Sequence, residues 1–151
     1  MPSLQLADPR HCDRLLLVED DPDIIPLFVR GLRRVNPSAS LIWTLDSEAG
    51  IALIEAGFCD AVVADYAIEG ASTGWALSEL CRTRTPVLPF GLTSVLPLRS
   101  VEAIGTPFLA KPFAIRDVAS FLRLVLPGAQ VALASDATSL ASSSTAPSAP
   151  H

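Results

Sequence analysis

The chain has 151 residues, half of them hydrophobic, so it is long and apolar enough to bury the core of one domain. Its formal net charge of −5 argues against a nucleic-acid surface, which needs clustered Lys and Arg. No apolar run approaches the roughly 20 residues of a membrane-spanning helix. The first residues also lack the basic start and apolar core of a secretory signal. We therefore expect a cytoplasmic protein that binds neither nucleic acid nor membrane.

The three cysteines do not form a recognisable metal or disulfide pattern. Cys12, Cys59 and Cys81 are odd in number, no CxxC pair occurs, and the chain has only two histidines. Neither a zinc site nor a disulfide framework is indicated. We interpret Cys59 and Cys81 as small buried residues of a protein in a reducing compartment.

Composition divides the chain into three parts. Residues 1–13 are predicted to be a short leader, and residues 14–126 the folded domain. Residues 127–151 are rich in Ala, Ser, Thr and Pro and have no hydrophobic periodicity. Such a segment cannot bury enough apolar surface to fold, so we expect a disordered tail.

Within the domain, short apolar runs alternate with amphipathic stretches. The predicted strands, in chain order, are Leu15–Val18, Leu41–Leu45, Ala61–Ala64, Val87–Thr93 and Phe108–Ala110. The predicted helices are Pro22–Val35, Glu48–Ala56, Gly74–Arg82 and Ile115–Leu126. The segment before the last strand has room for only one or two helical turns. This alternation predicts an α/β fold with a doubly wound, five-stranded parallel sheet.

Polar residues follow four of the predicted strands, where ligands bind in sheets of this kind. They are Glu19, Asp20 and Asp21 after the first strand, Asp65 after the third, Thr93 and Ser94 after the fourth, and Lys111 after the fifth. Clustered carboxylates are hard oxygen ligands suited to Mg²⁺. Asp65 is a candidate nucleophile toward a phosphoryl group, while Lys111 and the Thr93 hydroxyl are candidate contacts to its oxygens.

The motifs VEDD, VVADY, LTS and AKPF, in this order, resemble those of the receiver domain of two-component response regulators, the CheY-like family. The resemblance spans about residues 14–126. It implies a flavodoxin-like (βα)₅ fold that a histidine kinase or a histidine phosphotransfer protein phosphorylates on aspartate with Mg²⁺ as cofactor. The downstream protein partner is not indicated.

The resemblance also implies a role for individual residues. Glu19 and Asp20 match the acid pair, Asp65 the phosphoacceptor and metal ligand, Ala67 the backbone carbonyl of the metal site, Lys111 the active-site lysine, and Thr93 and Phe108 the switch positions. Lys111-Pro112 matches a bond that the family often holds cis. Asp21 lies one residue past the acid pair and is assigned to the first turn of the following helix.

The chain departs from the family pattern between Thr93 and Lys111, which are closer together than usual. A shortened fourth helix is expected there, so the family's common dimer surface is in doubt and a monomer or weak dimer is expected. The switch position is also ambiguous. Counting from Pro86 places Gly91 there, a bulge at Pro89 would restore Thr93, and Ser94 is a fallback.

Three functions remain open. The first is a stand-alone receiver that is not an enzyme on other substrates, since it catalyses only its own phosphorylation and dephosphorylation. The second is a haloacid-dehalogenase-like phosphatase, because Asp21-Pro22-Asp23-Ile24 superficially matches a DxDx(T/V) motif. The third is a receiver-like interaction module that is not phosphorylated. Trp43 and Trp75 are interpreted as packing residues.

Overall fold

The structure is a computed structural model that describes residues 12–68, 70, 72–95 and 105–126. The strands are β1 Arg14–Val18, β2 Ser40–Thr44, β3 Ala61–Asp65, β4 Phe90–Ser94 and β5 Phe108–Ala110. The helices are α1 Ile25–Val35, α2 Ser47–Glu55, α3 Gly74–Thr83 and α4 Ile115–Val125. Residues 1–11 of the predicted leader, the predicted tail 127–151, and residues 96–104 lie outside the described residues.

The strands form one parallel sheet in the order β2-β1-β3-β4-β5. The order reverses between β1 and β3, and the carboxyl ends of strands at such a switch point form a crevice. The predicted doubly wound parallel sheet is confirmed. The four helices among the described residues fit the expected fold with a reduced fourth helix. None of these four is long and apolar enough to cross a membrane.

Alternating side chains of the central strands fill two cores, one on each face of the sheet. On β1, Leu15 and Leu17 point to one face, where they join a buried cluster with Phe28 of α1 and Leu122 of α4. Leu16 and Val18 join the other cluster, which includes side chains of α2 and α3 and is called the α2–α3 core. Helices therefore cover both faces of the sheet.

Helix α1 begins three residues later than the predicted Pro22. The Asp21 side chain accepts a hydrogen bond from the Asp23 N–H at 2.9 Å, and the Asp21 carbonyl accepts one from Ile24 at 3.2 Å. These bonds form a turn over residues 22–24, a conformation that aspartate side chains favour over helix. The helix then starts at Ile25, with Pro26 in its first turn, where the missing N–H costs little.

Strand β4 also begins three residues later than predicted, at Phe90. Pro86 and Pro89 have no N–H to donate to a ladder, although the Pro89 carbonyl accepts a bond from the Val62 N–H at 2.9 Å. From Phe90 the register with β3 is continuous, so no bulge within the strand is involved. The bond Lys111-Pro112 is cis, as the resemblance implied, and so is Thr85-Pro86.

Candidate functional site

Strand register brings the predicted polar residues to one edge of the sheet. Asp65, the last residue of β3, is paired with Thr93 on β4. Glu19 follows the last residue of β1, and Lys111 follows the last residue of β5. Because all five strands are parallel, their carboxyl ends lie at the same edge.

The Lys111 ammonium group joins the two buried carboxylates of this edge. Its Nζ lies 2.9 Å from Asp65 Oδ2 and 3.0 Å from Glu19 Oε2, and the lysine side chain is only 13% exposed. Burial works to lower the pKa of Lys111, but the hydrogen bonds to Asp65 and Glu19 outweigh it and raise the pKa above its ordinary value. Lys111 therefore remains a fixed positive charge.

Glu19 is fully buried and is held at several atoms. Its side chain accepts hydrogen bonds from the Asp21 N–H at 3.1 Å and from Lys111. Its backbone N–H donates to the Thr44 carbonyl at 3.0 Å, and its carbonyl accepts from the Trp43 indole at 2.9 Å. Burial raises the pKa of the Glu19 carboxyl to about 7, although the bonds from Lys111 and Asp21 act to lower it.

Asp20 completes a group of three carboxylates. One oxygen each from Glu19, Asp20 and Asp65 lies within 4.8 Å of the others, and Asp20 is exposed while its two neighbours are buried. Lys111 is the partner of two of these carboxylates, so one ammonium faces three acids and a negative charge remains. An open set of hard oxygens with excess negative charge fits Mg²⁺.

The connection between β3 and α3 is packed closely against Asp65. The Ala67 N–H donates to Asp65 Oδ1 at 3.4 Å, while the metal role of the Ala67 carbonyl stays a prediction. The Gly74 N–H donates to the Tyr66 carbonyl at 3.0 Å, and a Cβ on Gly74 would overlap the backbone oxygen of Asp65. The sequence interpretation missed this role of Gly74, although a glycine beside a helix N-cap is a signal of close backbone approach.

Thr93 lies beside Asp65 in the ladder and is 1% exposed. Its hydroxyl is buried and, within the described part of the chain, has no hydrogen-bond partner. Gly91 lies two residues earlier and pairs with Val63, where a side chain would overlap Phe121 of α4. Of the alternatives, Thr93 therefore stands next to Asp65, and Gly91 lies against a helix instead. Thr93's switch role stays a prediction.

The remaining candidates are Ser94, Phe108 and Asp21, and of these Phe108 lies at the start of its strand rather than at the carboxyl edge. Ser94 is buried and pairs with Ala110. Phe108 begins β5, pairs with Leu92 and packs, partly buried, against the α2–α3 core, so its switch role also stays a prediction. Asp21 is exposed and accepts the Asp23 N–H in the turn before α1. Its assignment to the first turn of that helix was therefore wrong, because α1 begins only at Ile25.

A cavity of about 320 Å³ opens next to Lys111. Most of its lining is apolar and comes from the start of α1, the end of β4 and the segment after β5. It is lined by Asp21, Ile24, Leu27, Val95, Lys111, Pro112 and Phe113. A largely apolar surface therefore borders the site at Lys111.

Sequence comparison finds no matching protein-family model. It also finds no matching curated protein. Solved structures do match. The chemotaxis response regulator CheY4 of Vibrio cholerae has a TM-score of 0.64 at 18% identity, over 77% of this chain and 100% of that one. The receiver domain of a putative LuxO repressor from Vibrio parahaemolyticus has a TM-score of 0.66 at 17% identity, over 81% and 95%.

A third match is the receiver domain of RcsB from Salmonella enterica serovar Typhimurium, solved in the presence of phosphomimetic BeF₃⁻. Its TM-score is 0.62 at 14% identity, over 73% of this chain and 85% of that one. At these identities the likeness establishes the fold. The chain has the receiver fold of CheY-like response regulators.

Proposed function

We propose that the chain is a phosphoacceptor receiver that takes a phosphoryl group on Asp65 in a Mg²⁺-dependent reaction. The observation that carries the proposal is the placement of Lys111, with its Nζ 2.9 Å from Asp65 and 3.0 Å from Glu19 at the carboxyl edge of the sheet. The receiver fold supports it, since one of the similar structures was solved with a phosphate mimic.

In the proposed reaction a carboxylate oxygen of Asp65 attacks the phosphorus of a phosphodonor. A P–O bond to Asp65 forms, the bond to the donor's leaving group breaks, and the leaving group keeps the electron pair. Lys111 is already beside Asp65 and positively charged, so it pairs with a phosphoryl oxygen without rearrangement of the chain. The buried hydroxyl of Thr93 gains an acceptor in that phosphoryl group, which matches its lack of a partner among the described residues.

The metal requirement follows from the acid group. Glu19, Asp20, Asp65 and the carbonyl of Ala67 are the proposed ligands of Mg²⁺, which when bound offsets the negative charge brought in by the phosphoryl group. Without a divalent cation, three carboxylates and a phosphoryl group share one ammonium, so we expect the reaction to depend on Mg²⁺.

The proposed phosphodonors are a histidine kinase or a histidine phosphotransfer protein, and the output is protein–protein interaction. The apolar cavity beside Lys111 offers such a protein a surface next to the site. Turnover of other substrates is not part of the proposal, which also includes a cytoplasmic location.

The test is incubation with acetyl phosphate and Mg²⁺, followed by intact-mass analysis. Wild type should gain one phosphoryl group in an adduct that is stable to acid and labile to hydroxylamine. Asp65→Asn should abolish the adduct, because the amide is a poor nucleophile. Asp21→Asn is the matched control, because Asp21 is an exposed aspartate outside the acid group, and it should still label.

Two results would contradict the proposal. If Asp21→Asn alone abolished labelling and the wild type steadily hydrolysed phosphate esters, the phosphatase alternative would replace it. If the wild type bound Mg²⁺ but never labelled, the chain would be a receiver-fold interaction module.

A further inference from the structure

Trp43 lies on the edge strand β2, and its indole N–H contacts the backbone of Glu19, a residue of the acid group. The side chain is 40% exposed, although the indole Nε1 donates a 2.9 Å hydrogen bond to the backbone carbonyl of Glu19. The N–H of an exposed indole can donate its hydrogen bond to water instead. A short bond to the Glu19 carbonyl is therefore a specific contact between the two residues. This differs from the packing role expected from the sequence.

The bonded carbonyl belongs to the peptide unit that leads into Asp20. A peptide unit is planar, so holding the Glu19 oxygen fixes the orientation of the whole unit as far as the Cα of Asp20. Asp20 itself is exposed and follows the end of β1. The direction of its carboxylate toward Glu19 and Asp65 therefore depends on how that unit is held.

Strand β2 holds both backbone groups of Glu19. The Thr44 carbonyl accepts the Glu19 N–H at 3.0 Å, and the neighbouring Trp43 side chain supplies the donor for the Glu19 carbonyl. The Thr44 contact extends the ladder and is available to any residue type. The indole contact is specific to a side chain with a ring N–H.

We propose that Trp43 is a positioning residue for the acid pair, which it orders for Mg²⁺ through the Glu19 carbonyl. This inference rests on the proposed Mg²⁺ site and goes beyond it by adding a residue of β2. Trp43 does not contact the metal, so its loss should weaken binding without abolishing it.

The test is Mg²⁺ binding by calorimetry, with no phosphodonor present. Trp43→Phe keeps an aromatic ring but removes the N–H, so we expect roughly three- to tenfold weaker Mg²⁺ binding, the loss typical of one hydrogen bond. Benzothienylalanine at position 43 keeps the two-ring shape and lacks the N–H, and it should weaken binding equally. Trp75→Phe is the matched control, since Trp75 packs against the α2–α3 core. The Mg²⁺ affinity of this variant should equal that of wild type.

Fluorescence supplies a second readout, because the chain has only two tryptophans. In Trp75→Phe the remaining indole is Trp43, and its emission should change on Mg²⁺ addition with the same midpoint as the calorimetric titration. Adding Asp20→Asn should remove that change.

The outcomes separate this inference from the proposed function. If wild type binds Mg²⁺ and both position-43 variants bind it equally well, Trp43 has no positioning role, whether or not Asp65 is phosphorylated. If the variants bind more weakly while Asp65 does not label, the inference stands and the proposed function fails. Absence of Mg²⁺ binding by wild type would overturn both.

Discussion

Glu19 is a buried acid whose charge depends on its neighbours. Burial raises the pKa of its carboxyl from 4.5 to about 7, against the hydrogen bonds from Lys111 and the Asp21 N–H. A raised acid pKa means that folding favours the neutral form, so its contribution to stability is full below pH 4.5 and is lost as pH rises through about 7. In the proposed site, Mg²⁺ would therefore compete with a proton for Glu19 near neutral pH.

This competition predicts pH-dependent Mg²⁺ binding. A metal ligand must give up its proton, so between pH 8 and pH 6 the apparent affinity should fall by about tenfold as Glu19 takes up a proton. Calorimetric titrations at the two pH values measure the change. Glu19→Gln cannot titrate, so this variant should bind more weakly but with a much flatter pH dependence. Equal affinities of wild type at both values would show that Glu19 is charged at pH 6 or lies outside the site.

At the scale of elements, helices α1 and α4 pack together on the face of the sheet that holds Leu15 and Leu17. Gly31 lies where the two helices meet. A Cβ on Gly31 would lie 2.6 Å from Val118 Cγ1 and 3.1 Å from Val118 Cβ, distances below normal packing contacts. The absence of a side chain at position 31 therefore allows the two helices to approach closely.

Gly31→Ala should destabilise the domain, although alanine favours a helix by about 1 kcal/mol relative to glycine. Overpacking of this kind costs about 1–3 kcal/mol, so we expect a net loss of about 1 kcal/mol, measurable by urea unfolding.

Gly31→Ala should instead stabilise the domain when residue 118 has a smaller side chain. Val118→Ala leaves room that a methyl group at position 31 would fill. The double variant should therefore be more stable than Val118→Ala alone. If Gly31→Ala destabilised both backgrounds equally, the loss would not come from the contact with Val118.

Differences between predicted and observed elements lie where local side-chain or proline chemistry competes with a periodic pattern. The hydrophobic spacing after Pro22 suits a helix, but Asp21 ties the next residues into a turn. The apolar run from Val87 suits a strand, but Pro89 has no N–H and pairing starts at Phe90. Hydrophobic periodicity gives no information about the turn at Asp21 or the missing N–H of Pro89. The first residues of α1 and β4 were therefore both predicted three residues too early.

At the scale of the whole molecule, the cysteines are distributed over both cores. Cys12 belongs to the α1–α4 side, whereas Cys59 and Cys81 belong to the α2–α3 side. Burial is the main cause that raises their thiol pKa values, to about 12 for Cys12 and Cys81 and about 11 for Cys59. A raised thiol pKa means that folding favours the uncharged, unreactive form.

All three thiols should therefore react slowly while the protein is folded. At pH 8 we expect labelling by Ellman's reagent to be roughly 100-fold or more slower than in denaturant, because both the thiolate fraction and access are reduced. Peptide mass spectrometry after iodoacetamide treatment would assign the rate to each site. A cysteine that reacts in native protein at the denatured rate would show that its part of the core is open.

The linear sequence was sufficient for the class of fold. The hydrophobic period of a strand or a helix can be read from residues that are neighbours in the sequence. Alternation of strands and helices in turn implies a parallel sheet. Parallel strands place their carboxyl ends together, so the positions of Glu19, Asp65 and Lys111 at one edge also followed from the sequence. Their proposed roles rest on the chemistry of these side chains together with the family resemblance.

Only the tertiary structure decided what depends on contacts between distant residues. The β3–β4 register put Thr93, and not Gly91, beside Asp65. Counting through the segment that holds Pro86 and Pro89 could not give that register. The bond from Trp43 to Glu19 joins residues 24 positions apart across two strands. Neither residue carries a local pattern that signals it, because such a bond arises from strand pairing and side-chain direction, which exist only after the sheet has formed.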